Sequence, residues 1–255
     1  MILELIIALI LVLAVSVFFY RSSSEEFQIL QREYIPNTPW DDLLNEQLPV
    51  VIRNLPKSMQ GGWSESRTLA KRWPVTLFDV DNQQYYKTTW DAYIHEQTIE
   101  QPVNMNEIAE ILKLDETARN WRLDGFNKWY WLPTSMPNPI VAQPSYVHGV
   151  QKSLAEAKLI VNTDGGPLRI WLAHGGAIPP AVIPLLKGKN PWIQTTDDIP
   201  WITEVKYIEL ILRPGNALLL PRHWYYAIIS EEMATWYWEA EFHSPISRLA
   251  SQISK

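Results

Sequence analysis

The chain has 255 residues, 47% of them hydrophobic, with 13 Trp, 11 Tyr and 6 Phe and a formal net charge of -6. This content excludes a disordered chain and suffices for one domain with a substantial core, while the acidic balance, with no Lys/Arg run, argues against a nucleic-acid partner. The chain has no cysteine, which excludes disulfides, thiolate metal sites and a Cys nucleophile.

Met1 to Tyr20 reads MILELIIALILVLAVSVFFY, and its only charged side chain is Glu4. At a rise of ~1.5 Å per residue this is about one bilayer's worth of helix. A cleaved signal fits less well, because no Lys or Arg precedes Arg21 and the small pair Ala14 and Ser16 lies inside the apolar run. Residues 1–20 therefore read as a single-pass transmembrane anchor, 21–33 as a linker and 34–255 as one domain. Arg21 on the C-terminal flank favours a cytoplasmic domain.

Within the domain, Thr38-Pro39-Trp40-Asp41-Asp42 has the capping pattern of a helix start, and Pro49 to Asn54 reads as a strand. Residues 76–80 and 85–88 flank Asp81-Asn82 as a hairpin. The spacing predicts helices over 90–97 and 106–114, and irregular chain over 115–150. Further on, Leu159-Ile-Val161 and Leu168 to Leu172 are strands joined through Asp164-Gly165, a pair suited to a tight turn with positive φ. Tyr207 to Leu212 and Ala217 to Leu220 flank Pro214-Gly215, which suits a type II turn. Thr235 to His243 alternates, placing Trp236, Trp238, Ala240 and Phe242 on one face and Tyr237, Glu239, Glu241 and His243 on the other. The fold class expected is mainly β with helical decoration (α+β), a closed or sandwich-like β core.

Among candidate functional residues, His95 reads as solvent-facing and His148 as a hydrogen-bonded loop histidine. His243 could form an imidazole and carboxylate cluster with Glu239 and Glu241 for a metal or for acid/base work, but the simpler reading is a solvated strand face. Asp197-Asp198 reads as a polar loop. No nucleophile elbow, phosphate loop or H-E-x-x-H is present.

Over roughly residues 34 to 245 the chain resembles the JmjC-type, cupin-like protein hydroxylases of the Fe(II)/2-oxoglutarate class. Leu48-Pro-Val-Val-Ile-Arg-Asn-Leu-Pro56 is similar to the family's opening strand, and a Trp-containing helix at Trp63 to Trp73 follows. Pro214-Gly-Asn-Ala-Leu-Leu-Leu-Pro-Arg-His-Trp-Tyr-Tyr-Ala-Ile228 is similar to the family's P-G-D-x-L-x-I-P-x-x-W-W-H-x-V. Ile160 to Gly166 resembles the turn before the metal-binding strand. The resemblance implies a double-stranded β-helix barrel behind the anchor. It also implies a pocket where Trp171, Ala173 and Tyr226 stand at the three metal positions, two His and one carboxylate in the family. His174 and His223 lie three residues from expected ligand positions, and Lys187-Gly188-Lys189 echoes the family's 2-oxoglutarate lysine.

The reading that follows is a membrane-anchored, catalytically degenerate cupin-like module without a cofactor. It would bind a protein partner or small ligand, or act as a scaffold. Two alternatives stay open: an active hydroxylase using Fe(II) and 2-oxoglutarate, with His174, His223 and an acid such as Asp164 converging, and a structural or assembly component of a membrane-associated complex.

Overall fold

The computed structural model describes residues 2–21, 27–38, 43, 46–61, 72–79, 82–95, 103–125, 132–133, 137–142, 147–230, 235–244 and 248–249. Helix α1 covers Ile2–Arg21, and Leu3, Leu5, Ile10 and Phe18 on it are exposed. The side chains at 2, 16 and 19–21 lie outside the description; counted over described residues, no helix is long and apolar enough to cross a membrane.

The domain is mainly β. Strand β1 (Leu30–Glu33) lies inside the stretch expected to be a linker and pairs in parallel with β2 (Val50–Arg53). Helix α2 (Lys57–Gln60) follows, then the hairpin β3 (Pro74–Asp79) and β4 (Gln84–Thr89), closed by Asp79 accepting from the Asn82 backbone at 3.0 Å. Three helices come next: α3 (Trp90–His95), α4 (Met105–Ile111) and α5 (Leu114–Gly125). The region expected to be irregular thus holds α5 and three strands, β5 (Leu132–Pro133), β6 (Asn138–Ala142) and β7 (Val147–Lys152). The helices expected at Pro39–Asp42 and at 63–73 fall outside the described residues, the second except for its last two.

The remaining strands are β8 (Ala157–Gly165), β9 (Leu168–His174), β10 (Ile208–Leu212), β11 (Asn216–Pro221), β12 (Trp224–Ser230) and β13 (Thr235–His243). A short helix α6 (Ile183–Leu186) lies between β9 and β10. One sheet runs β1-β2-β11-β8-β13-β5, with β6 also pairing β13; the second runs β10-β9-β12-β7. From β6 onward the chain winds between the two sheets, and every pairing among these eight strands is antiparallel.

The sheets pack face to face. Val51, Ile160, Leu218 and Tyr237 of the first share one buried cluster with Ile170, Leu172, Trp224, Tyr226 and Ile228 of the second. The outer face of the first sheet, including Trp236, Trp238, Ala240 and Phe242, packs with residues of α2 to α5. Carbonyls at the end of a short helix need donors. Trp121 Nε1 gives one to Met59 O at 2.8 Å and Trp238 Nε1 one to Gln60 O at 2.9 Å, fixing α2 between α5 and the sheet. The outer face of the second sheet packs Trp171, Ala173, Tyr225 and Ala227 against Ile178, Val182, Leu186, Ile199 and Val205.

The Pro214-Gly215 turn forms as read, closed by Asn216 N donating to Arg213 O at 3.2 Å, whereas Asp164 and Gly165 end β8, paired with Trp236 and Thr235, and the chain then crosses to β9 in the other sheet. Gly165 and Gly215 take φ of 94° and 78°, a region open to glycine. Buried Asn162 ties them together, donating to Gly166 O at 3.0 Å and Leu212 O at 2.8 Å while its own carbonyl accepts from Gly215 N at 2.8 Å.

Candidate functional site

The three residues expected to share a pocket do not come together. On the β9–β12 ladder, Trp171 opposes Ala227, Ala173 opposes Tyr225 and Tyr226 opposes Leu172. Opposed residues project to one face and neighbours to the other. Trp171 and Ala173 therefore belong to the outer cluster beneath α6, and Tyr226 to the interior between the sheets.

The histidines proposed as alternative ligands sit at one end of the second sheet. His174 closes β9, its Nδ1 accepts from Gly176 N at 3.2 Å, and its ring meets Trp224 edge-on at 5.4 Å. His223, with φ of 70°, is held by backbone bonds to Ser153 and Gly175. Asp164 lies by the β8–β9 connection at the far end of the seven-residue strand β9, which puts about 20 Å of strand between it and His174. The convergence an active hydroxylase would need does not form.

Lys187-Gly188-Lys189 is likewise outside the interior. It lies along the edge of β7, with Val150 N bonded to Lys189 O at 2.9 Å and Gly188 N to Val150 O at 2.8 Å. This approach needs Gly149, where a Cβ would stand 2.3 Å from Gly188 O. Asp198 accepts from the Thr195 backbone and hydroxyl, as a polar loop would. His95 ends α3, and its side chain lies outside the described residues.

What meets Tyr226 in the interior is a charged cluster. Lys158 Nζ, on β8, lies 2.8 Å from Glu239 Oε2 on β13 and sits over the Tyr226 ring at 5.0 Å. His148, on β7, meets that ring edge-on at 5.7 Å and holds Nδ1 3.6 Å from Glu239 Oε1. Neither of these last two atoms has a hydrogen-bond partner, and both are buried. The Tyr226 hydroxyl donates to Gln151 Oε1 at 3.4 Å. Glu241, more exposed, lies 3.5 Å from Lys158.

Electrostatics fixes the charge states of Lys158, Glu239 and Tyr226. Burial by itself would raise the Glu239 carboxyl, but Lys158 foremost and His148 after it bring it down to about 2. Burial would lower the Lys158 ammonium, yet Glu239 holds it above its usual range. Burial and the Glu239 carboxylate together push the Tyr226 phenol far up. The result is a closed ion pair beside a neutral phenol.

Sequence reasoning missed Lys158 and gave His148 to a loop. The cause is a bulge in the β7–β12 ladder: Tyr226 pairs Gln151, but Ile228 pairs His148. His148 and Gln151, three residues apart, would face opposite sides of a regular strand, and the extra residue puts both on the Tyr226 side, with Gln151 at its exposed rim. The face of Glu239 and His243 was legible, but the structure buries both, so the solvated reading is corrected. His243 stands apart from the Lys158–Glu239 pair, its imidazole lowered by burial.

Among the described residues no three of His, Cys, Asp and Glu come together as a metal site would require. The donors beside Tyr226 also do not fit Fe(II), since they comprise one imidazole, one carboxylate already taken by an ammonium, and a phenol held protonated. No protein-family model matches the chain, and no curated protein matches it.

Proposed function

We propose that the protein is a membrane-anchored, catalytically degenerate cupin-like module that binds a protein partner or small ligand, and that α1 is its anchor. The observation carrying this reading is the Lys158–Glu239 pair against Tyr226: of the three positions matched to the family's metal ligands only Tyr226 faces the interior, and the cation beside it is a side-chain ammonium. A metal at this place would have to displace an ammonium 2.8 Å from Glu239, the one buried carboxylate among the described residues.

The winding supports the cupin-type assignment. Strands β6-β13-β8-β11 form one layer and β7-β12-β9-β10 the other, an eight-strand, two-sheet arrangement of the jelly-roll kind in which cupins are built. Support for the anchor comes from the apolar run of residues 1–20 and from the exposure of its side chains in α1.

The test has two arms. Full-length protein should remain with the membrane fraction through a high-salt wash, and in Fe(II) and 2-oxoglutarate it should release no succinate. Recovery in the soluble fraction would overturn the anchor, and turnover of 2-oxoglutarate the degenerate reading.

A further inference from the structure

Resting on the reading of α1 as a membrane anchor, we infer that one particular end of the β-domain, the end bearing Trp201 and Tyr207, rests against the lipid headgroups. The length of the tether sets this placement. Helix α1 ends at Arg21, and the chain is fixed to the domain again at Phe27, whose ring stacks on Trp224 at 5.8 Å. Six Cα steps span at most about 22 Å. Whatever path the chain takes, the part of the domain around Phe27 cannot stand farther than that from the end of the anchor.

Phe27 marks one end of the two-sheet stack. It lines a cleft with His174, Gly176, Ala177, Glu204 and Lys206, where β9 ends and the segment returning to β10 passes. Gly165 and Gly215 lie at the other end, a strand length of about 20 Å away. The Phe27 end also has the surface a headgroup layer favours. Trp201 is 54% and Tyr207 52% exposed, flanking the exposed residues Thr203, Glu204 and Lys206. Trp and Tyr settle at the membrane–water interface, where an aromatic body and a polar tip are both satisfied. Trp201 takes a left-handed backbone, φ 63°, at the start of the turn over Ile202–Glu204. With Glu204 beside Lys206 the patch is close to neutral, so the surface it fits is the lipid interface itself rather than an anionic lipid in particular.

The absence of cysteine makes the placement directly measurable. Full-length variants Thr203→Cys, Arg213→Cys and Leu9→Cys, each with one fluorophore, would be reconstituted in phosphatidylcholine vesicles carrying nitroxide lipids labelled in the headgroup or in the acyl chain. Quenching of the Leu9 probe by acyl-chain nitroxide reports the anchor. Quenching by headgroup nitroxide should be at least about twofold greater for the probe at 203 than for that at 213, and Trp201→Ser should reduce the difference. Equal quenching at 203 and 213 with the Leu9 probe quenched would overturn this placement while leaving the anchor in place. An unquenched Leu9 probe would overturn the anchor, and the placement with it.

Discussion

The two faces of β13 make the instructive comparison. One presents Trp236, Trp238, Ala240 and Phe242 to the helices, and the other presents Tyr237, Glu239, Glu241 and His243 to the second sheet. In sequence the first looks like core and the second like surface. In the fold Tyr237, Glu239 and His243 of the second face are buried too, Glu239 only 6% exposed, while Glu241 is partly open. The apolar face is held by packing that is indifferent to pH; the polar face depends on one ammonium reaching one carboxylate. Burial is set by what covers a face, and charge can lie inside when its partner arrives with it.

Breaking the apolar face should have the largest effect. Trp238→Ala removes a fully buried indole and strands Gln60 O, and should cost about 3–5 kcal/mol, read in urea unfolding, with little change between pH 5 and 8. On the polar face, Lys158→Met leaves Glu239 buried without its cation and should also cost ~3–5 kcal/mol at neutral pH. Here the loss should shrink on acidification, because a carboxyl stranded by burial binds its proton more tightly folded than unfolded. The double variant Lys158→Met with Glu239→Leu should recover most of the loss at all pH values; failure to recover would show that the pair is not the unit.

Wild type should show the opposite slope in acid. Glu239 titrates near 2 when folded, below its ordinary 4.5. Its contribution is therefore complete above about 4.5 and lost as pH falls toward 2, a slope that Glu239→Gln should flatten. Smaller again is Gly149→Ala, which sets a methyl against Gly188 O and should cost about 1–3 kcal/mol, with faster amide exchange at Val150 and Gly188. At the exposed pair on the second sheet, Arg169 with Glu209 at 2.9 Å, Arg169→Ala should cost under about 1 kcal/mol.

The legible parts of the fold were those in which a local rule decides. Pro214-Gly215 needs a positive φ at its glycine, and β13 alternates apolar with polar residues, so that turn and the two faces of β13 can be read directly. Helix α5 escaped because Leu114 to Gly125 is largely polar and is held by Trp121 reaching Met59, a contact 62 positions back along the chain. The site was half visible. Tyr226 and the Glu239 face were named, but Trp171 and Ala173 were placed with Tyr226 by motif spacing, and only the β9–β12 register shows that they point the other way. His148 entered through a bulge, a feature of pairing that alternation along one strand does not announce.

At the centre of the site the interior cation is Lys158. Equilibrium dialysis of the full-length protein against Fe(II), and against Mn(II) as a redox-inert substitute, with 2-oxoglutarate present, reads metal per chain directly. Wild type should hold no stoichiometric metal. One metal per chain in wild type, lost in Glu239→Gln, would contradict it.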